Sequence, residues 1–166
     1  MENQSEQAES NEPKGLGGWL ILPMLGLIIA PIRLIIQIVK DLLPAFAPET
    51  WNALTTPDSP VYHHLWAPVI ILETVSSTGL LLFSVWLLVL FFKKSIRLPK
   101  LFITWLILAF VIQILDQILA NQIPAVAAQN TSPEAIKDLF RAFIAMLIWV
   151  PYFIRSKRVK NTFTQP

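Results

Sequence analysis

The sequence predicts an all-α integral membrane protein, a four-helix bundle with both termini on the cytoplasmic side and a first helix kinked at prolines. Composition is the first reason: 54% of the 166 residues are hydrophobic and 14% are charged, against about 45–50% and about 25% in soluble domains. The second is that the apolar residues gather into blocks, at about 16–39, 66–92, 98–120 and 135–154. Each is near the ~20 residues that cross ~30 Å of hydrocarbon at ~1.5 Å per residue. The third is where the basic residues fall. Lys14, Lys93, Lys94, Arg97, Lys100, Arg155, Lys157, Arg158 and Lys160 lie before the first block, between the second and third, or after the fourth, while Lys40 and Lys137 alone lie in the other two loops. Nine against two places both termini in the cytoplasm, which requires an even number of spans.

Residues 1–14 carry Glu2, Glu6, Glu9 and Glu12 and no large apolar side chain after Met1, the composition of a disordered acidic tail. The same acids count against a secretory signal, which needs positive charge before a shorter apolar stretch. The first span opens at Gly15-Leu16-Gly17-Gly18-Trp19 and meets Pro23 and Pro31, each of which removes a backbone donor and crowds the preceding turn. Pro44–Pro68 reads as a proline-punctuated external loop whose Trp51, Tyr62 and Trp66 suit the headgroup level. The second span ends at Lys93-Lys94, and the turn 93–100 contains Pro99. Asn121–Ser132 is a short external connection. Ser132-Pro133-Glu134 has the form of a helix start, with Ser132 as N-cap and Pro133 in the first helical position. The fourth helix then runs inward to Trp149-Val150-Pro151-Tyr152 and leaves through a basic tail, residues 155–166.

Each apolar block carries an ionisable residue: Arg33, Glu73, Asp116 and Arg141. A charge at the bilayer centre costs between about 3 and about 17 kcal/mol depending on the measure, so four that sum to zero are expected to be partners. Measured from the cytoplasmic end of its helix, Arg33 lies at ~21 Å, Glu73 at ~27 Å, Asp116 at ~24 Å and Arg141 at ~21 Å. All four thus fall in the outer half of the bilayer. Each sits on a polar or small-residue stripe: Gly26, Ala30, Arg33 and Gln37; Glu73, Ser76, Ser77 and Ser84; Gln113, Asp116, Gln117 and Ala120; Asp138, Arg141, Ala142 and Ala145. Small and hydrogen-bonding residues are what helices turn toward each other in a membrane. Antiparallel neighbours are expected to pair Arg33 with Glu73 and Asp116 with Arg141, each guanidinium offering its planar fork to a carboxylate. Such pairs set register; the sharper alternative is an outward-facing polar cavity for a proton, an ion or a lipid headgroup.

Other chemistry is thinly represented. Without cysteine there is no thiolate nucleophile or ligand. Ser76-Ser77-Thr78-Gly79 lacks an intramembrane histidine to serve as base, since the two histidines are His63 and His64. That pair occurs without a second ligand cluster, so no metal or other cofactor is expected. Glu73 and Asp116 do not suit an acid dyad, which must share a proton, if two arginines hold both ionised. Lys93, Lys94, Arg97, Lys100, Arg155, Lys157, Arg158 and Lys160 are expected to meet anionic lipid headgroups at about 1 kcal/mol per basic residue. A nucleic-acid partner is not expected from a short cluster tethered to a bilayer.

Two stretches carry a resemblance. Gly15-Leu16-Gly17-Gly18-Trp19-Leu20-Ile21-Leu22-Pro23, with Gly26-Leu27 and Pro31-Ile32-Arg33, resembles the opening of the bacterial membrane-protein family known as domain of unknown function 2569. Trp149-Val150-Pro151-Tyr152-Phe153 and Ser156-Lys157-Arg158-Val159-Lys160-Asn161-Thr162-Phe163 resemble its closing signature. The resemblance implies a four-span inner-membrane protein of unassigned role and supplies no catalytic residues. Because an electrostatic anchor alone needs no particular residue order, the segment 155–163 is expected to fold back against Gly15–Trp19. The functional expectation is a non-enzymatic structural or interaction protein that binds lipid or a membrane-protein partner. The alternative is a small transporter or proton-coupled carrier using Glu73 and Asp116.

Overall fold

The computed structural model describes residues 14–129 and 133–166; the acidic segment up to Pro13 and the expected N-cap at Ser132 lie outside the described residues. The first helix, α1, spans Gly18–Ala45. It begins with a 3₁₀ turn at Gly18–Leu20 and passes through Pro23 and Pro31, both buried. A short α2, Pro48–Thr55, lies in the connection expected to be irregular. Pro48 in its first turn loses no hydrogen bond there, because the first donors of a helix have no partner within it. Then come α3 (Trp66–Phe92), α4 (Leu98–Ala120), the short α5 (Pro124–Gln129), α6 (Pro133–Arg155) and α7 (Lys157–Thr162).

Helices α1, α3 and α4, of 28, 27 and 23 residues, are long and apolar enough to cross a membrane. At 23 residues α6 is as long as α4, but Glu134, Lys137, Asp138 and Arg141 occupy its first turns. Large apolar side chains such as Val75, Leu82, Ile118 and Leu147 are exposed on the outside, where lipid rather than water is their natural surrounding. Packing proceeds in chain order, with α1 on α3, α3 on α4 and α4 on α6. No comparable seam joins α6 back to α1 among the described residues.

What closes the ring is the tail. Helix α6 stops at Arg155; Ser156 is extended, and its hydroxyl accepts the Val159 N–H at 3.4 Å to start α7. From there the chain runs under the start of α1. The Arg158 guanidinium donates to the Gly17 carbonyl at 3.0 Å, and the buried Thr162 hydroxyl accepts the Gly15 N–H at 3.0 Å and faces the Gly15 carbonyl at 3.3 Å. Val159 and Phe163 enter the same apolar cluster as Leu20, Leu27, Leu87, Phe91, Leu98, Phe102 and Phe153. Phe163 meets Phe91 edge-on at 5.4 Å. The expected fold-back of the tail is therefore present, and hydrophobic contact accompanies the hydrogen bonds. Fully burying a side chain of this size contributes about 1.5–3 kcal/mol.

Two backbone details make the junction close. Gly18 has φ +62, and a Cβ there would lie 3.2 Å from the Arg158 guanidinium carbon. At the far side α3 ends in a Schellman turn: Lys94 takes φ 53, with Ser95 N–H on the Leu90 carbonyl and Lys94 N–H on that of Phe91. Beyond it, Ile96 N–H donates to the Gln165 carbonyl at 2.7 Å, and Gln165 N–H to the Lys94 carbonyl at 3.0 Å. One short tail thus ties the start of α1 to the α3–α4 turn.

Two outcomes are expected from this junction. A left-handed conformation costs a residue with a Cβ about 1–2 kcal/mol, so Gly18→Ala lowers the thermal midpoint in detergent, while Gly26→Ala, at a site with open space around it, leaves it nearly unchanged. Ser95 and Gln165 face each other across a single parallel bridge, and paired strands lie about 4.7–4.9 Å apart, within reach of a disulfide. In this cysteine-free chain, Ser95→Cys with Gln165→Cys should therefore crosslink on mild oxidation in native membranes, seen as a gel shift reversed by reductant. A pair that stays reduced would mean the tail is not docked.

Candidate functional site

The polar residues of α1 recur at intervals of four. Four residues of α-helix turn through about 400°, so Arg33, Gln37 and Asp41 would drift by about 40° at each step. Between the last two the helix widens into a π turn, Ile38–Leu42, in which Leu43 N–H reaches the Ile38 carbonyl. The wider turn takes back the drift and keeps Asp41 on the face of Gln37. Its cause is adjacent: Pro44 offers no donor to the Lys40 carbonyl and its ring crowds that turn. Arg33, Gln37 and Asp41 accordingly border one cavity.

That cavity, of about 690 Å³, is formed at the end of the bundle away from α7, and all four long helices contribute to it. Glu73 comes from α3, Gln113 and Asp116 from α4, and Asp138 from α6. At the inner end Trp105 reaches across from α4, its indole N–H 3.4 Å from the Leu80 carbonyl of α3. A second void of about 30 Å³ between α3 and α4 touches both Glu73 and Asp116, space for about one water molecule.

The structure brings together five of the six side chains expected in the polar layer: Arg33, Gln37, Glu73, Gln113 and Asp116. It does not pair them as expected. Gln37 Nε2 donates to Glu73 Oε1 at 3.0 Å, in the place foreseen for Arg33. Arg141 turns to its own helix instead, with its Nη1 2.8 Å from Asp138 Oδ1, and its side chain is 76% exposed. This is the ion pair formed among the described residues. The reasons are local. An amide one turn beyond Arg33 meets Glu73 directly, and a carboxylate three residues before Arg141 is a nearer partner than one on another helix. The result is a cavity bordered by four carboxylates, Asp41, Glu73, Asp116 and Asp138, and one guanidinium, Arg33, rather than a neutral layer. Asp41 lay just past the expected end of the first span; its place four residues after Gln37 was the available signal.

The basic residues behave differently from one another. Lys93, Lys94, Arg97, Lys100, Arg155, Lys157 and Lys160 are exposed at the end opposite the cavity, whereas Arg158 is partly buried against the start of α1. The His63 and His64 rings lie tilted by 33° with centres 4.5 Å apart, and His63 Nδ1 accepts the Leu65 N–H at 3.3 Å. Among the described residues no three histidine, aspartate or glutamate side chains form a metal-binding group.

Against this geometry, comparison with known proteins is informative at the level of the family. The model for the protein of unknown function DUF2569 matches residues 13–164. The chain belongs to that family. It is also 29% identical over 163 residues to the inner membrane protein YdgK of Escherichia coli K12, covering 93% of this chain and 97% of that one. No solved structure matches it. Family membership and three apolar helices make this DUF2569 chain a membrane protein. The matched region takes in both the cavity and the docked tail.

A buried acceptor that loses its donor costs about 1–3 kcal/mol, whereas removing both partners costs less. Gln37→Leu is therefore expected to lower the thermal midpoint in lipid nanodiscs, and Gln37→Leu with Glu73→Leu to recover most of the loss. Equal losses in the single and double variants would show that the Gln37–Glu73 bond does not couple α1 to α3.

Proposed function

We propose that the chain is a four-span protein of the bacterial inner membrane, with both termini cytoplasmic, that works without catalysis by holding a polar ligand in the cleft between its helices. The observation that carries this reading is the cavity of about 690 Å³ bordered by Asp41, Glu73, Asp116, Asp138 and Arg33. Charges within a membrane are costly and mark functional pathways by default. The two serines beside the cavity do not form a nucleophile pair: Ser76 donates to the Leu72 carbonyl at 2.7 Å, and both histidines precede α3. The nine-to-two distribution of basic residues supports the cytoplasmic placement of the tail and the α3–α4 turn. In that orientation the exposed lysines and arginines face anionic headgroups. A membrane-protein partner of an accessory subunit would meet the same bundle.

The rival reading, a carrier using Glu73 and Asp116, has in its favour that both carboxylates border one cavity. Against it stands the packing below. Leu27, Leu87, Phe91 and Phe102 are buried in the cluster at the other end, so in this conformation the cavity is closed on that side and a carrier would have to part this cluster.

The two readings separate in native-lipid patches. Mass spectrometry of material co-isolated with the wild-type protein is expected to show a stoichiometric ligand that is depleted with Glu73→Gln and Asp116→Asn together. Identical inventories from both proteins would remove the cleft as a binding site. Solute counterflow in proteoliposomes, abolished by the same substitutions, would favour the carrier instead.

A further inference from the structure

Resting on the reading of the cleft as a binding site, we infer that its occupant is the headgroup of an aminophospholipid, a phosphate diester carrying a primary ammonium, admitted sideways from the bilayer between α1 and α6. The first support is the missing seam. Three neighbouring helix pairs pack against each other, but α6 and α1 are joined through the tail beneath the bundle and not by a comparable face of their own. A gap between spans inside a bilayer does not stay empty, because its lining would forfeit contacts on one side and its polar groups would lack partners. The molecule present in excess at such a gap is lipid.

The second support is the distribution of charge. Arg33 lines the cavity at its exposed edge, and among the described residues no carboxylate lies within ion-pair distance of it. A planar fork with five donors fits a phosphate. Asp41, Glu73 and Asp116 border the same space, with Asp138 beside them already held by Arg141, and one Glu73 oxygen is engaged by a neutral amide. These carboxylates suit an ammonium with three N–H donors. A headgroup bearing phosphate alone would face three acids without a cationic partner, and a purely cationic solute would face Arg33. A zwitterion matches both. The volume of about 690 Å³ holds about twenty water-sized groups, enough for a phosphoethanolamine unit, its glycerol and several waters.

The same chemistry exists in free phosphoethanolamine, and the experiment distinguishes the sources. Full-length protein in detergent is titrated with dioleoyl phosphatidylethanolamine, phosphatidylcholine or phosphatidylglycerol and read by native mass spectrometry. Retention of the ethanolamine lipid is expected to exceed that of the other two by about tenfold, since a quaternary ammonium has no N–H to donate and glycerol carries no cation. Stepwise N-methylation of the headgroup should erode the preference on the unaltered protein, so the result does not depend on whether a variant folds. Arg33→Gln should weaken retention, and Glu73→Gln with Asp116→Asn should abolish the preference for ethanolamine over choline. Equal retention of all three lipids would overturn the assignment, as would displacement of the lipid by equimolar soluble phosphoethanolamine. In either case a different ligand still lost from native patches on Glu73→Gln with Asp116→Asn would leave the cleft reading standing; unchanged inventories would remove both.

Discussion

The docking of α7 beneath the start of α1 is the contact on which the arrangement of the bundle depends. Without it the long helices form an open row, since each packs on its chain neighbour and the first and last lack a seam of their own. The contact uses three kinds of interaction in one place: the Arg158 guanidinium on the Gly17 carbonyl, the Thr162 hydroxyl on the Gly15 backbone, and Val159 with Phe163 in the apolar cluster. Helix α7 is short and carries Lys157, Arg158 and Lys160, and where such a segment meets water hydrophobic burial acts with full force. Within hydrocarbon it would contribute little, because lipid tails are as apolar as leucine. Gly15 and Gly18 both take positive φ, and at Gly18 the missing Cβ leaves room for the Arg158 guanidinium.

Closure at one end has a consequence at the other. Leu20, Leu27, Leu87, Phe91, Leu98, Phe102 and Phe153 fill the space near the tail, with Phe102 and Phe153 stacked at 4.3 Å. Toward the opposite end the facing positions become glutamine, aspartate, glutamate and serine, side chains that do not fill a core by themselves. The cavity begins near Leu80 and Trp105. Stability and binding are thereby divided along the helix axis, in keeping with the tendency of functional sites to be locally less well packed than the scaffold that holds them.

The sequence made the long helices legible because apolar length and proline or lysine punctuation speak directly to a bilayer. It also made the cluster of Arg33, Gln37, Glu73, Gln113 and Asp116 legible, since a polar residue on an apolar helix has few places to go. Partner choice was not legible. Opposite charges at similar depth suggested Arg33 with Glu73, yet a difference of one turn in register gives Glu73 to Gln37. Arg141 was assigned across the bundle although Asp138 stood three residues away, the spacing at which helix side chains meet. Lys40 and Asp41 directly follow the apolar block and read as its end, so α1 was expected to stop before Asp41, although the π turn at Ile38–Leu42 carries the helix past it. The helix at Pro48–Thr55 was hidden by prolines read as breakers, although Pro48 in a first turn is compatible with a start.

Local satisfaction of Arg141 changes the electrical character of the cleft more than any single residue within it. Had Arg141 crossed to Asp116 while Arg33 held Glu73, the polar layer would have closed on itself, and the pairs would have served as register marks with little left to offer a ligand. With Arg141 turned outward on Asp138, the cavity keeps an excess of carboxylates and a guanidinium whose fork has no carboxylate at ion-pair distance among the described residues. Of these acids Glu73 and Asp116 are the half-buried ones, and withdrawing an ion from water without a matching partner is costly. A cleft lined by both signs of charge is instead complementary to a molecule that carries an anion and a cation together and can reach it between α1 and α6.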